Sequence, residues 1–401
     1  MNRRKLLEVA VKGAVGGVAM GVASACTTNN VAAPAATAAP AAANKPAAEP
    51  AKPQQPAAPA VTGPAQAFEW NLATSWPVSL DTLWGGAQYF AERIGKMTGG
   101  KFKITPRPAG DPQGAPALQV LDAVSQGGVQ MGHTASYYYI GKSWVCALAT
   151  GIPFGMNLQQ HNAWLHEGGG LKLIQGIYGK KFNVINFPAG NTACQWGGWF
   201  SKEITKLDDL KGLKMRLGGT GSAVMTKLGV NSVTVAGGEI FQALQTKTID
   251  AAEWVGPYDD EKLGFYKVVK VCHYPGWWEP APTLDVMVNL NEWNKLPAEY
   301  REIIQSAAAE ANLQMPARYD AKSPAALESL TKEGAVFKAF PQDVMDAAKK
   351  ATDEVMLEKS ADADVKAVYD SYKAFQTQVT KFHSFAEAAM FNYQMASIGK
   401  K

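Results

Sequence analysis

Two short stretches of the chain set a carboxylate beside an indole. In AAEWVGP, residues 251–257, Glu253 precedes Trp254; in YPGWWEPAP, residues 274–282, Glu279 follows Trp277 and Trp278. Both acids stand among apolar neighbours in Gly/Pro-rich turns. Two further polar residues keep similar company: Arg216, between Met215 and Leu217 in LKMRLG, and Gln195 in CQWGGWF. A planar guanidinium fork matches a carboxylate through two parallel hydrogen bonds, which lysine cannot reproduce. Two carboxylates taken out of water together repel, and a pKa rises unless a cation lies between them. Glutamate, glutamine and main-chain oxygens form the donor set of a hard cation such as Na⁺ or Ca²⁺, not of zinc.

Charge counting tests that idea. Glu253, Glu279 and a monocarboxylate ligand carry −3 together, and Arg216 returns +1. Calcium brings such a cluster to zero and sodium leaves it at −1, whereas a metal-free cluster at −2 is costly in a closed cleft with weak screening. From the residues alone, two readings of Arg216 stand side by side. It either closes an internal ion pair with Glu253 or Glu279, or it grips the carboxylate of a ligand.

Enzyme chemistry finds little support. His161 and His166 are five residues apart, which places them on different faces of a helix and breaks zincin spacing. There is no G-x-S-x-G elbow, and no serine or cysteine has a local catalytic partner. GGTGSAVMTKLG, residues 218–229, follows a strand, precedes a helix and has Glu239 downstream, as a dinucleotide loop would. Val224, however, stands where the third glycine should allow helix and strand to pack closely. The plainer reading is a Gly-rich turn capping a helix, with amides available to a nearby anion.

The elements that must position these residues follow from periodicity. FEWNLATSW alternates as a first strand, and Leu80 to Met97 repeats at three- and four-residue steps as an amphipathic helix stopped by Gly99-Gly100. KFKITPRP and GVQMGHTA read as strands, with ALQVLDAVSQG as a helix between them, giving an open, largely parallel sheet. The pattern restarts with FNVINFP, LKMRLG, SVTVA and TIDAAEW as strands, GSAVMTKLG and GEIFQALQ as helices, and DVMVNL as a returning strand. Beyond Pro297 the spacing is helical, with that proline set to start a helix. The expected fold is α/β with two lobes and a long helical C-terminal segment. Ligands of open α/β sheets bind beyond the carboxyl ends of the strands, and both Arg216 and Glu253 fall at such ends.

The termini and totals add a compartment. Arg3, Arg4 and Lys5 precede a weakly apolar stretch, as in a twin-arginine export signal covering residues 1–25. Ala-Ser-Ala before Cys26 suits cleavage, and a cysteine there suits lipidation, although Ala23 stands where leucine is usual. Residues 26–67 are almost wholly Ala and Pro and read as a disordered tether, reaching on the order of 100 Å at ~3.1 Å per residue. The formal charge of +4 resides entirely in residues 1–67, which hold six basic and two acidic side chains; the remainder sums to zero. A nucleic-acid binder normally shows a basic face, and none is visible here. Cys146, Cys194 and Cys272 are too few and too scattered for a disulfide framework and are expected as buried free thiols.

The run MRLGG, VMTKLGV, VAGGEIFQALQTKTIDAAEWVGPYDDEKLGFYKVVK and YPGWWEPAP resembles the periplasmic solute-binding subunits of TRAP transporters, the DctP family. Within that family it is most similar to the branch that binds 2-oxo acids such as pyruvate. The likeness runs from about Phe68 to about Tyr393 and includes LATSWPVSLDT, GHTASYYYIGK, PFGMN, GNTACQWGGWF and YKAF. The resemblance implies that Arg216 grips the ligand carboxylate and that Gln195 touches both ligand and metal. Glu253 and the Trp254 carbonyl would hold a Na⁺ or Ca²⁺ cation, Glu279 would complete its shell, and Trp254 would also meet the ligand. Tyr137 and Asn191 are further ligand contacts, with Tyr138 and Tyr139 either lining the opposite lobe or packing in its core. The resemblance also implies membrane permease subunits as partners, and a helical tail that either bridges the lobes or pairs two protomers. Lobe I is expected over 68–190, lobe II over 191–280, and a returning segment over 281–401. Lactate, C4-dicarboxylates and glutamate are alternative ligands, and a metal-dependent 2-oxo-acid enzyme or a scaffold is the rival class. Pro280-Ala281-Pro282 after Glu279 departs from the small residues usual there, which leaves ligand size open.

Overall fold

Strand β1 (Phe68–Thr74) alternates because its inward residues Trp70 and Leu72 seek the core while Glu69 and Asn71 remain partly in solvent. In the computed structural model, which describes residues 66–398, the chain continues through α1 (Leu83–Met97), β2 (Phe102–Arg107), α2 (Val120–Ser125) and β3 (Met131–Thr134). Next come α3 (Val145–Thr150), α4 (Leu158–His166), α5 (Gly170–Phe182) and β4 (Val184–Asn191). A second group comprises β5 (Trp199–Phe200), β6 (Lys214–Arg216), α6 (Gly219–Lys227), β7 (Asn231–Val233), α7 (Ile240–Gln245), β8 (Ala251–Ala252), α8 (Pro257–Leu263) and β9 (Val271–Tyr274). The chain then returns through β10 (Thr283–Asn289), α9 (Leu290–Lys295), α10 (Ala298–Lys332), β11 (Val336–Ala339), α11 (Gln342–Lys359), α12 (Ala363–Phe385) and α13 (Glu387–Ile398).

Two sheets organise these elements into the two-lobed α/β fold. The first has the order β2-β1-β3-β10-β4, parallel across β2, β1 and β3, with β10 antiparallel to both of its neighbours. One face packs on α1 and α10 through residues such as Phe90, Ile94, Val286, Tyr300 and Ile304. The second sheet, β11-β9-β5-β8-β6-β7, is mixed, with β5 antiparallel to β8 and β9. Helix α10 runs 35 residues, about 52 Å at 1.5 Å per residue, and carries Pro316 and Pro324 inside it. Each proline removes one ladder hydrogen bond, and just beyond the first, Tyr319 reaches the second lobe and donates to Asp259 of α8 at 2.7 Å.

Several expectations change. β5, β9 and β11 do not show in the sequence because each is two to four residues long and shaped by its neighbours. TIDAAEW contributes only Ala251 and Ala252 as strand, so Glu253 and Trp254 already belong to the turn. Of the three described cysteines, all free, Cys146 and Cys272 are buried but Cys194 is exposed. The export signal, Cys26 and all but the last two residues of the tether lie outside the described residues.

Candidate ligand and cation site

Arg216 ends β6, paired in parallel with Ala252 of β8 on one side and Val233 of β7 on the other. A strand alternates its side chains between faces, and the neighbouring Met215 fills the core, so the guanidinium is carried to the other face, fully buried. Its Nε donates to the Val235 carbonyl at 3.1 Å, and Nη1 donates to the Glu253 carbonyl at 2.8 Å and to Glu253 Oε1. The ring of Trp254 lies beneath it, 4.9 Å from Cζ. Nη2 is buried and has no partner.

Glu253 follows β8 with its amide on the Arg216 carbonyl at 3.2 Å. The internal ion pair that the residues left open is therefore formed, yet only one carboxylate oxygen takes part. Oε2 is buried and unpartnered. Burial pushes the Glu253 carboxyl up to about 7 against the pull of Arg216, with the Asp260 charge adding to the rise. Burial also raises Glu279 well above the usual carboxylate range, and the charge of Glu253 adds to it. Its Oε2 is likewise buried without a partner.

The segment carrying Gln195 bridges the two turns through backbone, with Trp196 donating its amide to the Val255 carbonyl at 3.3 Å. Gln195 donates its amide to the Glu279 carbonyl at 3.2 Å, and Gly276 donates to the Gln195 carbonyl at 3.0 Å. A Cβ on Gly276 would lie 2.6 to 2.8 Å from the backbone of Gln195 and Trp196, so only glycine permits this approach. The Gln195 side chain donates Nε2 to Thr192 Oγ1 at 3.0 Å, which leaves its buried Oε1 free.

From the first lobe, Tyr137 lays its ring over Gly218 so closely that a Cβ there would stand 2.5 Å from it. Burial raises the Tyr137 phenol well above its ordinary value, with the charges of Glu279 and Glu253 contributing. Trp76 meets Trp254 edge-on with ring centres 6.5 Å apart, and its indole N–H donates to His133 Nδ1 at 2.7 Å. Tyr137, Tyr138, Trp76 and Leu83 face Gln195 and Trp254 across a narrow cavity. Tyr139 instead bonds Thr134 at 2.9 Å within the core.

Asn191, expected as a ligand contact, is engaged with its neighbours in the fold. Its amide nitrogen donates to Ala281 O and Thr283 Oγ1, both at 3.1 Å, and its oxygen accepts from Ala193 N at 2.8 Å. It ties β4 to the start of β10, behind the site. Trp277 and Trp278 also stand back from the cavity, packed in the second-lobe core with Phe340 and Leu217. Thr192, Trp76 and Tyr138 are the cavity residues that sequence reading passed over or left undecided, because none breaks the pattern of its surroundings.

What remains is a set of orphaned polar atoms. Folded proteins rarely leave such atoms unpaired in their interior. Gln195 Oε1, Glu253 Oε2 and Glu279 Oε2 are acceptors, two of them on carboxylates, while Arg216 Nη2 is a charged donor. The acceptors suit a hard cation and the donor suits an anion. Among the described residues no group of three or more His, Cys, Asp or Glu side chains is gathered for a metal. The present set is mixed, with an amide oxygen beside two carboxylates, and fits an alkali or alkaline-earth ion rather than a transition metal.

Comparison with known proteins extends the picture. The sequence model for DctP, described as bacterial extracellular solute-binding protein, family 7, matches residues 72–362. A protein of Nostoc sp. (strain PCC 7120) named as a monocarboxylate 2-oxoacid-binding periplasmic protein is 54% identical over 329 residues, covering 82% of this chain and 89% of that protein. A TRAP transporter solute-binding protein from Bordetella bronchiseptica, crystallised with calcium and picolinate in one active site, superposes with a TM-score of 0.82 at 44% identity, over 84% of this chain and 99% of that one. Another, from Pseudoalteromonas atlantica with bound sodium and pyruvate, gives 0.78 at 36% identity, over 82% and 99%.

Proposed function

Because the chain belongs to the DctP family of bacterial extracellular solute-binding proteins, we propose that it captures a small 2-oxo monocarboxylate such as pyruvate together with Na⁺ or Ca²⁺ and delivers both to a TRAP membrane permease. The observation that carries this reading is the pairing of opposite deficits in one site: a guanidinium nitrogen lacking an acceptor and three oxygens lacking a cation. A 2-oxo acid answers both, its carboxylate on Arg216 and its keto and carboxylate oxygens on the metal. Glu253, Glu279, Gln195 and the Trp254 carbonyl are the assigned cation ligands. Gln195, Arg216, Trp254 and Tyr137 are the assigned ligand contacts, with Asn191 as support.

The relatives from Bordetella bronchiseptica and Pseudoalteromonas atlantica, with their cation and small carboxylate, support the same assignment. The cavity wall is largely apolar, with Leu83, Val255, Pro282 and Leu284. A second carboxylate or an ammonium would lose its hydration there without compensation, which favours monocarboxylates over C4-dicarboxylates and glutamate. A metal-dependent enzyme would need a base, and His133, which meets Trp76, has its ring nitrogens engaged with Trp76 and the Ala189 carbonyl. The two sheets support lobe limits near 68–190 and 191–280 with a returning C-terminal segment. Export to the periplasm follows the family, and Cys26 is the proposed lipid anchor.

In a thermal-shift assay, pyruvate with CaCl₂ at about 100 times Kd is expected to stabilise by about 2.7 kcal/mol, on the order of 5 °C for a chain of this size. Chelator should remove most of the shift. A shift indifferent to chelator, or none with any small carboxylate, would defeat the reading.

The tail supports a second protomer as partner. Helix α13 buries no residue, and Phe385, Met390, Phe391 and Tyr393 are exposed at its base and along it, an apolar patch of the kind that marks an interaction site. Light scattering should then report a dimer for the full mature chain and a monomer after truncation at Ser384. Equal masses for both would remove the tail from any such role.

A further inference from the structure

Beside the cavity, one carboxylate of the first lobe is fastened to the second. Asp81 lies in the β1–α1 connection, two residues before the cavity-lining Leu83. Its Oδ2 accepts from Tyr258 OH at 3.0 Å and from Arg318 Nη2 at 2.7 Å, and its Oδ1 pairs with Lys262 Nζ. Tyr258 and Lys262 belong to α8, which begins two residues after the cavity-lining Val255. Arg318 comes from α10, which packs along the first sheet; at Gly85 of α1 a Cβ would stand 3.2 Å from its Nη1. Arg318 thus meets Asp81 from beside α1, on a stretch of α10 whose next residue, Tyr319, bonds Asp259 of α8, while Tyr258 and Lys262 reach Asp81 from the second lobe.

The charges at this junction are unequal. Lys262 Nζ stands 4.0 Å from the centre of the Tyr258 ring and Lys322 Nζ 5.3 Å from it, so Lys262, Arg318 and Lys322 gather around one acid. An isolated pair this exposed, with Asp81 at 39% and Lys262 at 27%, contributes little. Here, however, loss of the carboxylate leaves Lys262 facing two other cations, and the contact changes from attractive to repulsive. Opening the cavity means parting residues 76–83 from 254–262, and those same segments carry the fastening.

We propose that Asp81 is the clasp that keeps the lobes shut over the loaded cavity and so sets the rate at which ligand leaves. This rests on the binding function proposed above. In the mature protein loaded with CaCl₂ and pyruvate, Asp81→Asn should speed release, followed by tryptophan fluorescence in stopped flow, by about tenfold while changing association by less than about twofold. Lys262→Gln alone should speed release a few-fold. In the Asp81→Asn background it should slow release again, because the repulsion goes with it. Raising ionic strength with choline chloride should accelerate release from the wild type and slow it from Asp81→Asn. Equal release rates in wild type and both single variants would overturn the clasp. Should the wild type fail to bind pyruvate, the functional reading falls, and hydrogen exchange without ligand decides the clasp separately. Faster exchange of residues 76–83 and 254–262 in Asp81→Asn would support it, and unchanged exchange would overturn it.

Discussion

Arg216→Lys is expected to abolish measurable carboxylate binding while the protein still folds. The lysine keeps a positive charge beside Glu253 but presents a single ammonium in place of a fork that serves Val235, Glu253 and a ligand at once. Losing two charge-assisted hydrogen bonds to the ligand, at about 1.5–3 kcal/mol each, corresponds to at least a hundredfold weaker binding. Calorimetry with pyruvate and CaCl₂ reads this directly, and affinity within threefold of wild type would refute the role of Arg216. Alanine is the wrong probe. With the sequence alone in view, Arg216→Ala should spare the fold. In the structure it strands Glu253 in the interior, and breaking a buried pair in this way costs about 3–5 kcal/mol. The alanine variant should accordingly lose much of its thermal stability, and its loss of binding would carry no information about the ligand.

Glu279→Gln should move stability and binding in opposite directions. Glu279 has no ion pair with Arg216, and burial together with the Glu253 charge already disfavours its carboxylate form. Replacing it by a neutral isostere removes that penalty, so the metal-free variant should melt a few degrees higher than the metal-free wild type. Cation and ligand affinity should fall together, by an order of magnitude or more, because one oxygen of the proposed shell then carries no charge. Calcium titration with and without pyruvate separates these effects. Loss of pyruvate binding with calcium affinity unchanged would break the proposed coupling of metal and ligand, and a lower metal-free melting point would show that Glu279 serves the fold.

Much of the site was readable because its members violate their surroundings. An arginine inside an apolar strand, or a glutamate inside a Gly/Pro turn, announces a constraint that packing does not supply. The residues that escaped notice do the opposite. Thr192, which holds the Gln195 amide so that its oxygen remains free, is an ordinary threonine after a strand. Trp76 is one apolar residue among several at the end of β1. The three hydrogen bonds that Asn191 makes to neighbouring chain were equally invisible, since nothing local marks which distant segment a strand end will meet.

Strands followed the same division. β1, β2, β4 and β10 run six to eight residues with clear patterns, whereas β5 and β9 are shaped by pairing with strands distant in sequence. Asp81, Tyr258, Lys262 and Arg318 span more than two hundred residues, and no local period marks any of them. Residue type and periodicity were enough to specify the α/β class and to single out the acids, the guanidinium and the kind of ion they suit, because those depend on chemistry and short-range pattern, whereas the ligand class came with the family resemblance. Which carboxylate oxygen Arg216 occupies, which polar atoms remain unpaired, and which lobe closes on which were decided by tertiary structure, because each depends on distances between segments that only packing brings together.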